Sequence, residues 1–239
     1  MCGICGVFNF GKGEPTDPVA LKRATDAMAH RMPDDEGFHL DGALGLGNTR
    51  LSIIDLPGGH QPLANEGESV WITFNGEIYN YRDLRPDLLA RGHQFRTNSD
   101  TETILHLYEE YGLSFLDYLR GMFAFAIWDS RNRRRLLARD RLGVKPLFYR
   151  SDAGELAFAS ELRTLRELLP RPSEIDPPSI YDFFGFRHIP GPPTFYRGVE
   201  KLLPGHFLDE PIPEPSDVAL HLISRLAAQS VKVVLASAG

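Results

Sequence analysis

Cysteine is scarce in this chain: Cys2 and Cys5 are the only two among 239 residues, and both lie in the first five. A disulfide framework spreads its cysteines to staple distant segments, so that class of fold is excluded. Cys2 and Cys5 have C-x-x-C spacing, but no second pair follows and the eight histidines show no ligand spacing, so no metal site is expected. A redox C-x-x-C opens a helix after a strand, whereas Ile4, Val7, Phe8 and Phe10 around this pair read as a strand. Long apolar runs are also missing; none approaches the roughly 18 residues of a membrane span. The first residues lack the basic, apolar and small-residue succession of a secretory leader, so a cytoplasmic protein with no membrane partner is expected. Positive charge is in deficit: 26 Lys and Arg against 32 Asp and Glu give a net charge of −6, which argues against a nucleic-acid partner. With 42% hydrophobic and 24% charged residues, the chain has the composition of an ordinary folded protein, enough for one large domain or two small ones.

Periodicity predicts strands over residues 2–10, Gly45–Asp55, Val70–Phe74, Met122–Asp129 and Leu156–Ser160. Helical spacing of Tyr81, Leu84 and Leu88 predicts a helix over Asn80–Arg91. A second helix, Thr101–Tyr111, carries Ile104, Leu107, Tyr108 and Tyr111 on one face, with Ser99 and Asp100 as cap candidates. Turns are expected at Pro57-Gly58-Gly59 and around Ser151–Gly154. Two layers of sheet covered by helices would satisfy these apolar faces. From Pro170 to Pro215 the chain is crowded with proline and reads as a linker. Ser216–Gln229 then reads as a helix and Val231–Leu235 as a buried strand, a pair too small to bury its own faces and thus a piece of something larger.

Cys2 is the most informative residue. Removal of Met1 would give it a free α-amine, whose pKa near 7.7–8.0 suits a base acting on its own thiol. The thiolate could then attack a carbonyl or amide carbon; the ordinary alternative is a small buried cysteine on a strand, which is the better reading for Cys5. Asn75-Gly76 could supply the side-chain and backbone N–H groups of an oxyanion hole, or simply form an Asn-Gly hairpin turn. Arg50, placed at the opening of a strand Leu51–Ile54, has a guanidinium suited to a carboxylate. Asp100 could take an ammonium, or act as a helix N-cap. Each residue alone fits its ordinary use at least as well as the chemical one; their joint presence is what points to an amino-acid substrate.

Seven strings occur here in the order of one family: Cys2-Gly3-Ile4-Cys5-Gly6, Arg50 to Leu56, Asn75 to Tyr81, Ser99-Asp100-Thr101-Glu102, Arg120 to Ala126, Arg139 to Pro146, and Phe158-Ala159-Ser160-Glu161. The chain resembles the class II glutamine amidotransferase domain of glutamine-hydrolysing asparagine synthetases, from Cys2 to about Leu208. The resemblance implies an α+β fold, the four-layer αββα sandwich of N-terminal nucleophile hydrolases. It implies Cys2 as the nucleophile, with Asn75 and Gly76 as the oxyanion hole. Arg50, the backbone around Ile53 and Ile54, Asn75, Gly76, Glu77 and Asp100 would hold glutamine. No cofactor is expected for the glutaminase. In the family, ammonia passes to a second, α/β domain where ATP and Mg²⁺ activate aspartate; that domain's Ser-Gly-Gly-x-Asp-Ser loop is absent here. The expected division is therefore a glutaminase domain over residues 1–208 and an incomplete synthetase fragment over 209–239. Homodimerisation is a family-level expectation. A second departure is Met32, where the family's His-Arg-Gly-Pro-Asp string has glycine. The alternatives are an amidotransferase serving another ammonia acceptor, and a truncated non-catalytic paralogue.

Overall fold

The computed structural model describes residues 2–11, 13–31, 34–152, 154–169 and 174–211. The departure at Met32 and the expected helix and strand in 216–235 lie outside the described residues. In chain order the elements are β1 (Gly3–Asn9), α1 (Pro18–Asp26), β2 (Asp35–Asp41), β3 (Leu44–Arg50), β4 (Leu63–Ala64), β5 (Val70–Ile78), α2 (Tyr81–Ala90), α3 (Asp100–Tyr111), β6 (Gly121–Asp129), β7 (Arg134–Arg139), β8 (Phe148–Asp152), β9 (Glu155–Ala159), α4 (Leu162–Leu168), α5 (Pro177–Phe186), β10 (Glu200–Lys201) and β11 (Phe207–Pro211). The strands form two antiparallel sheets, β10-β8-β9-β1-β3-β2 and β11-β7-β6-β5-β4.

Strand alternation divides the apolar residues among three layers. Ile4 and Phe8 of β1, Leu44 and Leu46 of β3, and Phe158 of β9 meet Ala124, Ala126 and Trp128 of β6 between the sheets. The opposite side of β1, with Cys5 and Val7, packs with Leu21, Ala24, Met28 and Leu165 under α1 and α4. Phe74, Phe123, Phe125 and Ile127 carry Leu88, Ile104 and Leu107 of α2 and α3. The arrangement is thus helix, sheet, sheet, helix, the α+β sandwich expected.

Local chemistry explains the helix ends. Asp17 accepts the Val19 N–H ahead of Pro18 at the first helical position of α1. Ser99 Oγ accepts the Glu102 N–H at the start of α3, while the Glu102 carboxylate reaches back to the N–H groups of Arg96 and Thr97.

Three expectations need correction. The strand predicted as Gly45–Asp55 ends at Arg50, because the next carbonyls turn inward to the Arg50 guanidinium and Ser52 gives its N–H to Asp34. Arg50 therefore closes a strand and does not open one. Asn75-Gly76 is no turn; both lie within β5, paired with Ala124 and Phe123. Glycine is required there by close approach, since a Cβ on Gly76 would stand 2.2 Å from the Met122 carbonyl oxygen. The proline-rich stretch is not linker throughout. Pro177 and Pro178 begin α5 behind the Asp176 cap, and Ile189, Thr194, Val199 and Leu202 are buried. Proline at N1 pre-sets the helical φ and lacks only an N–H that the first turn cannot use. Leu208 and Asp209 pair with Leu137 and Leu136 in β11.

Gly6 sits opposite Phe158, whose ring would lie 2.6 Å from an added Cβ, with the Gly45 carbonyl at 2.7 Å. Gly6→Ala is expected to destabilise the chain by about 1–3 kcal/mol through overpacking, read as a lower urea midpoint at unchanged slope.

Candidate functional site

Sheet pairing brings the start of β1 beside the end of β3, with Gly3 opposite Thr49. Cys2 and Arg50 therefore meet at one end of the sandwich. The last turns of β5, the N-terminus of α3 and the loop before β8 close around them, forming a cleft of about 150 Å³. All eight residues expected at the site line it: Cys2, Arg50, Ile53, Ile54, Asn75, Gly76, Glu77 and Asp100.

Cys2 is held from both sides. Its carbonyl accepts from Arg31 Nε at 3.0 Å, and Arg31 Nη1 pairs with Glu161 at 2.6 Å. Its Sγ accepts the Leu51 N–H at 3.4 Å. The following residues are locked by Ser160, which takes the Ile4 N–H on its Oγ and gives its own N–H to the Ile4 carbonyl. Cys5 lies on the other face of β1, buried against Thr25, and burial pushes its thiol up to about 12. The two thiols are free and serve opposite sides of one strand, which removes any C-x-x-C chemistry.

Arg50 is only 5% exposed, and no carboxylate among the described residues pairs with it. It donates Nη1 to Leu56 O at 3.1 Å and Nη2 to Ile54 O and Asp55 O at 2.9 and 2.7 Å. Three of the five guanidinium N–H groups are thus used on carbonyl oxygens and the charge itself is uncompensated. Asp100, also 5% exposed, accepts the Ile78 N–H at 2.9 Å and forms no ion pair with a cationic side chain among the described residues. Burial pushes its carboxyl up to about 6 against the pull of the backbone N–H groups, with Glu77 adding to the rise. Asn75 is 1% exposed and its Nδ2 has no hydrogen-bond partner among the described residues. An orphaned buried donor of this kind is costly unless something else supplies the acceptor. Ile53 stands at the rim, 70% exposed.

Lys145 was not anticipated. It lines the same cleft at 5% exposure; burial pushes its ammonium below the ordinary value, with Cys2, Asp140 and Glu77 opposing the fall. Asp140 accepts the N–H groups of Leu142, Val144 and Lys145, and Arg139 donates to the carbonyls of Gly143, Lys145 and Leu202. The Arg139–Pro146 string was visible in the sequence, but only this folding shows that it aims a lysine at Cys2. Leu51, which contributes through its backbone, leaves no signal in the sequence. Below the cleft, Asn48 Nδ2 donates to Gln61 and Thr73, and Thr73 Oγ1 donates to the Gly47 carbonyl, tying the two sheets together.

The site is thus a thiol flanked by a buried cation, a buried anion and a vacant amide donor. Compared with known proteins, residues 1–213 match the family described as the glutamine amidotransferase domain. Asparagine synthetase (glutamine-hydrolyzing) 1 of Bacillus subtilis strain 168 is 42% identical over 207 residues, covering 86% of this chain and 33% of the relative. Asparagine synthetase (glutamine-hydrolyzing) 3 of the same organism is 38% identical over 211 residues, covering 87% and 34%. The chain therefore spans about a third of the length of these curated relatives. A solved glutamine phosphoribosylpyrophosphate amidotransferase from B. subtilis shares the fold, with TM-score 0.57 and 21% identity over 70% of this chain and 43% of that one.

Asp100 makes stability pH-dependent. Its carboxyl titrates at about 6 folded, against an ordinary 3.8, so the stability it contributes is full below the unfolded value and is lost as pH rises through about 6. Asp100→Asn is expected to be more stable than the parent at pH 7.5, by up to about 3 kcal/mol. The difference should fade towards pH 4. Urea unfolding at the two pH values checks this, and equal stability at pH 7.5 would refute it.

Proposed function

The chain belongs to the glutamine amidotransferase domain family, and on that premise we propose that it hydrolyses the side-chain amide of glutamine with Cys2 as nucleophile. The observation that carries this reading is the pairing of opposites in one cleft: the uncompensated Arg50 guanidinium and the buried Asp100 carboxylate beside a thiol. An amino acid offers an α-carboxylate to the first and an α-ammonium to the second, and both buried charges are then answered. Asp100 gains most, because a bound ammonium favours the ionised form that burial disfavours.

In this proposal the α-amine of Cys2, free once Met1 is removed, takes the thiol proton. The thiolate attacks the amide carbon, and the C=O electrons move onto oxygen, which accepts from Asn75 Nδ2 and the Gly76 N–H. The C–N bond breaks as the protonated α-amine gives its proton to the leaving nitrogen, releasing ammonia. Water then cleaves the thioester to glutamate and restores the thiol. Glu77 and the backbone at Ile53 and Ile54 line the substrate's path, and Lys145 places a cation beside the reacting sulfur.

The relatives' names couple glutamine hydrolysis to asparagine synthesis, so aspartate is the proposed acceptor of the ammonia, within a longer protein. The nucleotide of that second reaction finds no fit here: the sequence has no Ser-Gly-Gly-x-Asp-Ser loop, and no step above passes through ATP or Mg²⁺. No helix among the described residues is long and apolar enough to cross a membrane.

Incubating the chain with glutamine and assaying glutamate and ammonia tests the proposal. Cys2→Ala is expected to abolish both products, and unchanged release in that variant would overturn the reading. Asn75→Ala is expected to lower kcat by about 10²–10³-fold with KM little changed, the mark of a donor used only in the transition state.

A further inference from the structure

Away from the cleft, the loop after α2 lays a second cluster of titratable groups against α3. We propose that His93, His106 and Glu109 bind one divalent first-row transition ion of the Zn²⁺ class. His106 is 1% exposed, and its Nδ1 lies 3.0 Å from Glu109 Oε2. His93 directs its Nδ1 at the same oxygen from 3.9 Å. The three donor atoms all lie within 4.8 Å of one another. Around a tetrahedral ion with bonds near 2.0–2.1 Å, neighbouring ligand atoms stand about 3.3 Å apart. The cluster is close to that spacing, and small side-chain rotations supply the rest.

The surroundings favour an ion over a simple salt bridge. His93 Nε2 stands 3.2 Å from Glu110, within hydrogen-bond reach, while His106 Nε2 faces Glu102 at 3.8 Å. His93 is thus held as metal-ligating imidazoles are, with the far N–H on a carboxylate and the near nitrogen turned to the ion. A plain imidazolium–carboxylate pair needs one nitrogen on one oxygen, whereas here two rings aim the same nitrogen at one oxygen. Asn65 donates to the remaining oxygen of Glu109 and fixes its orientation. Two imidazole nitrogens with one carboxylate oxygen suit Zn²⁺ better than Mg²⁺ or Ca²⁺, which require more oxygen ligands. The partly exposed His93 and Glu109 side chains leave a solvent path for the ion and for a fourth, water ligand. His106 and Glu109 stand three residues apart on α3, but His93 precedes α3 and joins them only through packing of its loop on that helix.

The test uses the full chain after chelator treatment, titrated with Zn²⁺ by calorimetry and with Co²⁺ by visible absorption. Parallel titrations of Cys2→Ala exclude binding at that thiol. The expected result is one Zn²⁺ per chain in both proteins, and Co²⁺ d–d bands without thiolate charge-transfer bands. His93→Ala and Glu109→Gln, checked for folding by circular dichroism, are each expected to lose about 100-fold or more in affinity. Absence of binding, binding lost in Cys2→Ala, or affinity kept in both His93→Ala and Glu109→Gln would overturn the site. None of these readouts is glutamine hydrolysis, so this proposal and the glutaminase reading stand or fall separately.

Discussion

The close approach of the two sheets is the constraint on which the rest depends. Cys2 enters on β1 of one sheet and Asn75 leaves on β5 of the other, so they share a cleft only if the layers meet tightly. Ala124 and Ala126 on β6 keep that interior shallow beneath the larger Phe8 and Phe158, and Gly6 lets the Phe158 ring lie against β1. At the level of the cleft, polar atoms replace apolar ones, and Asn48, Gln61 and Thr73 span the gap with hydrogen bonds. Asn48 Nδ2 reaches Gln61 and Thr73, and Gln61 Oε1 takes the Phe74 N–H, so the donors of this network are used even though Asn48 Oδ1 is left without a partner among the described residues. The result is a rigid floor beneath mobile chemistry, which is what preorganised donors require.

The residues of the strings that carry the family resemblance divide into two kinds by what their atoms touch. Cys2, Asn75 and Asp100 line the cleft. Arg31, Glu161, Ser160, Arg139 and Asp140 turn their polar atoms into the backbone, where they hold Cys2 and the segment ending at Lys145. Much of the polar bonding around the cleft therefore goes to holding its backbone, some of it local, as between Arg139 and Lys145, and some across long stretches of chain. Arg31 lies 29 residues from Cys2 in sequence and its partner Glu161 130 residues further on.

The layered architecture was legible because alternation on β1, β5, β6 and β9 is written in large apolar residues. β7 was not, since Arg134, Arg135 and Arg139 interrupt its pattern while their aliphatic stems remain in the sheet. β2 and β8 were missed for a related reason, being edge-ward strands with little buried surface. The Asn-Gly pair misled because its usual turn chemistry was overridden by a nine-residue pairing with β6. The proline-rich segment misled because proline terminates helices internally but favours their first turn. At the site, the eight residues named from the sequence all line the cleft. Leu51, which meets Cys2 through its backbone N–H, and Lys145, which the fold brings into the cleft, could not be named that way.

Arg50 spends three N–H groups on the carbonyls of Ile54, Asp55 and Leu56, and this changes what kind of residue could replace it. A lysine keeps the charge but concentrates its three donors on one tetrahedral nitrogen, whereas the guanidinium spreads five over a plane. One cationic point cannot both gather three carbonyls of a tightening loop and face an anion across the cleft. The arginine is thus the hinge pin of the loop as well as its charge. Any exchange that preserves only the electrostatics would release the rim at Ile53 and deform the opening through which a ligand must pass.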